Sequence, residues 1–276
     1  MHAIFSIQMV ISFANQKGGT GKTTTLLTLA TYQSKQDKKI LVIDLDPQAS
    51  STNYLLKFDE NQENNLNLDQ IVYRILVDNL GVEPMHIEGT NIDLIPSSSL
   101  LSRAELELAM SPDSIDNSRV RRLKTVLDQI KGNYDYVFID CPGSLGLLTM
   151  NGLCASDSVV VVTSIGRFEL NALKNFLKEL DTTVRSYNPS LEILGILPTM
   201  VDPYPITDQI IKKMMDDPKI SEKLFKIGTV RGIPKNNAIR NATNEALSIW
   251  DYSPLSPSGQ AYMKLWEEME SRMNPV

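Results

Sequence analysis

A chain of 276 residues, 42% hydrophobic and 22% charged, has the make-up of a globular protein long enough for one sizeable core. No run of 18 apolar residues occurs and the opening Met1 to Val10 has no basic stretch, so neither a membrane span nor a secretory leader is expected and the protein is expected in the cytoplasm. The net charge of −6 excludes a surface coated throughout in positive charge. Cys141 and Cys154 stand apart, as do His2 and His86, which leaves disulfide, zinc and His-based nucleophilic chemistry without a framework.

The first predicted element after a short N-terminal extension, residues 1–8, is a buried strand over Met9 to Ala14. A helix is predicted from Thr23, and the loop between them reads Lys17-Gly18-Gly19-Thr20-Gly21-Lys22-Thr23-Thr24. Glycines at a strand-to-helix turn let successive backbone N–H groups close around an anion at the positive end of the helix. In that setting Lys22 reaches the β- and γ-phosphates of a nucleotide and Thr23 ligates Mg²⁺. The general pattern G-x-x-x-x-G-K-[ST] asks for glycine at position 16, where this chain has Gln16 followed by a second lysine, Lys17.

Ile40 to Ile43 forms the next short strand, ending in Asp44-Leu45-Asp46-Pro47-Gln48. Ligands gather at the carboxyl ends of strands in open α/β sheets, so both acids belong beside the phosphate loop. If the extended conformation continues, alternation points Asp44 and Asp46 the same way, for Mg²⁺ coordination and for orienting an attacking water. Residues 53 to 90 are polar, with an amphipathic stretch over Leu66 to Leu80 read as helix and loop. Ile92 to Ile95 is a strand, followed by a serine-rich turn and a helix through Met110; Ser118 to Ile130 has helical apolar spacing.

Tyr136 to Ile139 runs into Asp140, a strand-end acid of the kind a phosphate loop needs to hold Mg²⁺ together with Thr23. Val159 to Thr163 and Ile193 to Leu197 are further buried strands around a helical stretch from Leu170 to Arg185, and a last strand is expected near Phe225 to Val230. Alternating strands and helices predict an α/β fold, a doubly wound and mainly parallel sheet with helices on both faces, forming one domain. From Lys212 to Arg240, eight basic residues stand against three acidic ones, a local basic segment in an acidic chain. Gly259 to Met273 is a helix with Ala261, Tyr262, Leu265, Trp266, Met269 and Met273 on one face, suited to docking on the core; its glutamates are unlike a membrane-surface helix.

Read together, KGGTGKTT, DLDPQ and VFIDCPG resemble the deviant Walker ATPases of the ParA/MinD family, and within it the ParA-type DNA partition ATPases. The resemblance spans nearly the whole chain. It implies ATP and Mg²⁺ as cofactors, with Gly18, Gly19, Thr20, Gly21, Lys22, Thr23 and Thr24 as the phosphate loop and Asp140 acting on Mg²⁺ with Thr23, Asp44 lying beside them. It implies that Lys17 reaches the phosphates of the partner in an ATP-sandwich homodimer and that Asp46 positions the hydrolytic water. Pro234 falls where the family lines its adenine pocket, and Met200 to Asp202 fall near the base or the dimer face. Arg240 matches an arginine used for non-specific double-stranded DNA binding, with Lys212, Lys213, Lys223, Lys226 and Lys235 as further DNA contacts from the basic segment. A DNA-bound ParB-like partner would stimulate turnover, the ATP-bound form would sit on the nucleoid, and plasmid or chromosome DNA would be segregated. Two other readings share this core: a MinD-like membrane-associated ATPase, which the acidic terminal helix disfavours, and a ParA-like positioning factor for a non-DNA cargo. Electron transfer of the nitrogenase-reductase type lacks its cysteine ligands.

Overall fold

The protein's structure is a computed structural model that describes residues 8–57, 71–111, 118–227 and 231–274. The strands are β1 (Met9–Ala14), β2 (Ile40–Asp44), β3 (Met85–His86), β4 (Ile92–Ile95), β5 (Tyr136–Asp140), β6 (Ser158–Ser164) and β7 (Glu192–Thr199). They form one sheet in the order β3-β4-β2-β5-β1-β6-β7, and every pairing except β3 with β4 is parallel. β1 lies between β5 and β6, so the phosphate loop leaves the sheet where the strand order reverses, the position at which such sheets bind ligands.

Both faces of the sheet are covered, which explains why its strands read as unbroken apolar runs. Alternation sends Val10 of β1 to one side and Ile11 and Phe13 to the other. The first side packs against helices that include Leu101–Met110, Arg122–Ile130, Leu147–Ala155 and Arg167–Glu179. The second packs against the helix Lys22–Ser34 and the terminal helix Pro257–Met273. That terminal helix docks as its spacing predicts: Tyr262, Leu265, Trp266 and Met269 are buried, and the Trp266 ring meets Tyr136 edge-on at 5.1 Å.

One residue of its polar face is also structural. Arg272 donates to the carbonyls of Leu194 (2.9 Å), Lys223 (3.0 Å) and Leu224 (2.6 Å), pairs with Glu268 at 2.9 Å and lies 4.5 Å from the centre of the Phe225 ring. The expected strand near Phe225 is not formed at 225–227. Only an isolated bridge joins Leu224 to Ile196, with the Phe225 ring packed where a Cβ at Gly195 would lie; residues 228–230 lie outside those described. Of the amphipathic stretch Leu66 to Leu80, the structure describes a helix at Val72–Leu76, and 66–70 lie outside the described residues, as do His2 and most of the N-terminal extension.

Candidate active site

The loop after β1 wraps a cavity of about 740 Å³ whose wall includes Gly18, Gly19, Thr20, Gly21, Lys22, Thr23, Thr24, Asp46 and Met200. Gly19 and Gly21 have φ of 70° and 84°, left-handed conformations that a side chain would strain. The helix Lys22–Ser34 starts with no side-chain cap, so its first N–H groups remain available to an anion. Two neighbours hold the loop in place. Thr199, at the end of β7, donates from Oγ1 to the Thr20 carbonyl at 2.7 Å, and Gly143 lies so close that a Cβ there would sit 2.8 Å from the Gly18 nitrogen.

Lys22 is only 6% exposed and folds its ammonium toward the Lys17 carbonyl at 3.3 Å, inside the loop. Lys17 is half exposed and pairs with Glu169, on the helix Arg167–Glu179. That pairing holds the Glu169 carboxyl below its ordinary range. Nothing in the sequence pointed to Glu169, which lies 152 positions away.

β2 and β5 are adjacent and in register, so Asp44 and Asp140 occupy the same rung at the carboxyl end of the sheet. Both are fully buried. Burial first and the Asp140 charge second push Asp44 up to about 8, against the pull of hydrogen bonds from Thr52 and the Asp46 N–H. Burial likewise pushes Asp140 up to about 6, countered by Ser51, Thr23 and the charge of Lys22. Asp140 Oδ2 accepts from Thr23 Oγ1 at 2.7 Å and from Ser51 Oγ at 2.6 Å, while its Oδ1 is buried without a hydrogen-bond partner. An unpartnered carboxylate oxygen beside a threonine hydroxyl fits a hard cation held directly or through its water.

Asp44 corrects the sequence reading. Its Oδ1 accepts from the Asp46 N–H at 3.0 Å and its Oδ2 from the Thr52 N–H and Oγ1 at 2.9 and 2.8 Å. β2 ends at Asp44 and the chain turns there, so the alternation that would have aimed both acids together stops. Asp44 therefore lies behind the cavity wall with its oxygens engaged, unlike a metal ligand, and Asp46 alone reaches the cavity.

Met200 lines the cavity, in a left-handed turn with φ 52°. Pro234 does not. Hydrogen bonds from the Val201 N–H to the Ile233 carbonyl (3.1 Å) and from the Lys235 N–H to the Val201 carbonyl (3.1 Å) carry residues 233–235 alongside the end of β7, where Pro234 faces a neighbouring cavity. The far wall comes instead from the helix Asn237–Asn244 and the turn after it, through Ile239, Ala242 and Leu247, with Tyr54 beside them. An apolar wall of this kind suits a flat base, and its sequence signal was weak because the segment reads as polar.

The six basic residues expected on DNA are all exposed. Lys212 and Lys213 are on the helix Pro205–Met215, and Lys212 and Lys235 border the neighbouring cavity, with Lys235 paired to Asp202 at 3.3 Å. Lys223 and Lys226 flank the Leu224 bridge. Arg240 is exposed on the helix whose Ile239, Ala242, Thr243 and Asn244 line the first cavity.

Residues 8–193 match the family model of an AAA domain. The sporulation initiation inhibitor protein Soj of Bacillus subtilis is 36% identical over 264 residues, covering 94% of this chain and 97% of its own. The chromosome-partitioning ATPase Soj of Thermus thermophilus is 33% identical, covering 95% and 96%. The chain belongs to the Soj/ParA family of partition ATPases. The fold agrees: a putative plasmid partition protein from Borrelia burgdorferi, solved bound to AMPPNP, superposes with a TM-score of 0.76 over 96% of this chain and 99% of its own at 23% identity. This ParA-type chain is thus a P-loop ATPase by family as well as by its loop. No helix among the described residues is long and apolar enough to cross a membrane.

Proposed function

We propose that this ParA-type chain hydrolyses ATP with Mg²⁺ to drive DNA partition, cycling between an ATP-bound homodimer on DNA and released monomers. The observation that carries the reading is one cavity whose wall joins the phosphate loop, Thr23 and Asp46, with Asp140 directly behind Thr23. Thr23 and Asp140 would hold Mg²⁺. Bound there, the cation would offset charge on the β- and γ-phosphate oxygens. Gly18 to Thr24 would bind the phosphates through backbone N–H groups, and Lys22 would neutralise the charge that develops as the bond to the γ-phosphorus breaks. Asp46 would accept a hydrogen bond from the attacking water and aim its oxygen at the γ-phosphorus, giving ADP and phosphate. Met200, Ile239, Ala242 and Leu247 would enclose the base.

Lys17 would leave Glu169 on dimerisation and reach the partner chain's phosphates. Arg240, with Lys212, Lys213, Lys223, Lys226 and Lys235, would contact the phosphates of double-stranded DNA without reading sequence, each contact adding about one unit to the salt dependence. A ParB-like protein bound to its own DNA site would stimulate hydrolysis, and the ATP-bound form would reside on the nucleoid. What supports this is membership of a family that includes a chromosome-partitioning ATPase, together with six exposed cations in an acidic chain. The test is binding to random-sequence duplex DNA with ATP, ADP or no nucleotide, for parent and Arg240→Glu across a salt series. Binding with ATP only, weakened by salt and by the substitution, is expected. No binding under any nucleotide by a protein that still hydrolyses ATP would overturn the DNA reading and redirect the cycle to another cargo.

A further inference from the structure

Asp46 sits on a turn that its own atoms secure only in part, its Oδ1 accepting from the Gln48 N–H at 2.9 Å. The residue after it is Pro47, which has no N–H to donate. Ala49, whose N–H closes the turn onto the Asp46 carbonyl at 2.8 Å, has φ 52°, a left-handed conformation that alanine adopts only when its surroundings impose it. Beside this turn a closed ring of hydrogen bonds runs behind the cavity wall. The Asp46 N–H donates to Asp44, and Asp44 accepts from both the N–H and the Oγ1 of Thr52. Thr52 Oγ1 in turn accepts from the Ser97 N–H at 2.9 Å, and Ser97 Oγ donates to the Asp46 carbonyl at 2.7 Å. The ring starts and ends on Asp46, and Asp44, Thr52 and Ser97 are each 0% exposed.

Its members come from three separate pieces of chain: the end of β2, the helix Ser50–Leu56 and the turn after β4. Asp44, Thr52 and Ser97 are not among the residues lining the cavity, yet together they bond both backbone groups of Asp46, which is. We propose that Thr52 and Ser97 are positioning residues for hydrolysis: through Asp44 and through the Asp46 carbonyl they hold the turn that aims the Asp46 carboxylate. This rests on the reading of Asp46 as the residue that orients water. A misdirected water costs rate in the chemical step while leaving the phosphate loop, and with it ATP binding, intact.

The experiment measures steady-state ATP hydrolysis, ATP affinity by titration and melting temperature for the full chain and for Asp46→Ala, Ser97→Ala, Thr52→Val and Thr52→Ser. Ser97→Ala and Thr52→Val are expected to lower kcat by about tenfold, with ATP affinity within about twofold of the parent. Thr52→Ser keeps the hydroxyl and is expected to restore kcat. If Asp46→Ala is slow but Ser97→Ala and Thr52→Val hydrolyse at the parental rate, the positioning role is overturned and the reading of Asp46 stands. If Asp46→Ala itself hydrolyses at the parental rate, the reading of Asp46 fails and takes the inference with it. A loss of kcat matched by an equal loss of ATP affinity, or one that Thr52→Ser does not reverse, would mean that the ring only maintains the fold. Should Thr52→Val not fold, Ser97→Ala decides: an unchanged kcat overturns the proposal, and a reduced kcat with unchanged ATP affinity upholds it.

Discussion

Gly143→Ala tests the phosphate loop without altering any residue of it. A Cβ at 143 would lie 2.8 Å from the Gly18 nitrogen, 3.0 Å from its Cα and 3.2 Å from the Lys17 carbonyl carbon, all of them backbone atoms that have no rotamer to change. The overlap is roughly half an ångström, so the loop must shift, and overpacking of this kind costs about 1–3 kcal/mol. The atom closest to the new methyl is the Gly18 nitrogen, part of the proposed anion cradle, so the cost falls on nucleotide binding. At about 1.4 kcal/mol per factor of ten, ATP affinity should fall roughly 5- to 150-fold. The assay is titration of the purified protein with a fluorescent ATP analogue, with melting temperature followed in parallel. Gly81→Ala, where a Cβ meets nothing within 4 Å, is the control. A Gly143→Ala protein binding ATP within twofold of the parent would refute the claim that the segment after β5 sets the loop's position.

Arg272→Ala should destabilise the fold by about 2–4 kcal/mol, since it strips three carbonyls of a donor at the junction of the terminal helix with β7; urea unfolding would measure this, and a change under 1 kcal/mol would contradict it. The Asp44 and Asp140 pair makes stability depend on pH. Both carboxyls are raised in the folded chain above the ordinary 3.8, so the native state holds protons that the unfolded chain has released. Their contribution is complete below about pH 4 and is lost as pH climbs through the folded values near 6 and 8, with a slope of up to about 1.4 kcal/mol per unit for each proton. Nucleotide-free protein should therefore unfold at lower urea at pH 8.5 than at pH 5.5, and Asp44→Asn should flatten that slope; a midpoint that holds steady or rises would count against the shifts.

The phosphate loop was legible because it is built from contiguous residues whose types carry backbone geometry: glycines for left-handed turns, Lys22 and Thr23 for phosphate and cation. Asp140 was legible for a related reason, as an acid ending an apolar run. Asp44 was misread because alternation holds only while a strand stays extended, and the chain turns at that residue. Pro234 was misplaced because the path of residues 233–235 is set by pairing with Val201, a contact that local patterning does not encode. Thr52, Ser97 and Glu169 escaped notice because a serine in a turn, a threonine in a short helix and a glutamate on a helix are commonplace; only the folded chain brings them to Asp44, Asp46 and Lys17.

The far side of β7 carries one more consequence. A sheet's last strand ordinarily presents unpaired backbone groups that another chain can extend, the usual route to aggregation. Here irregular chain and a side chain occupy that margin. The Ile196 N–H donates to Lys223, the Ile196 carbonyl accepts from Phe225, the Pro198 carbonyl accepts from Ile233, and the Leu194 carbonyl accepts from Arg272. Strand-to-strand polymerisation is closed off along this border by groups that are not a strand. An Arg272 substitution therefore loosens more than a helix: it uncovers one rung of a template for self-association, and a tendency to aggregate should accompany the loss of stability.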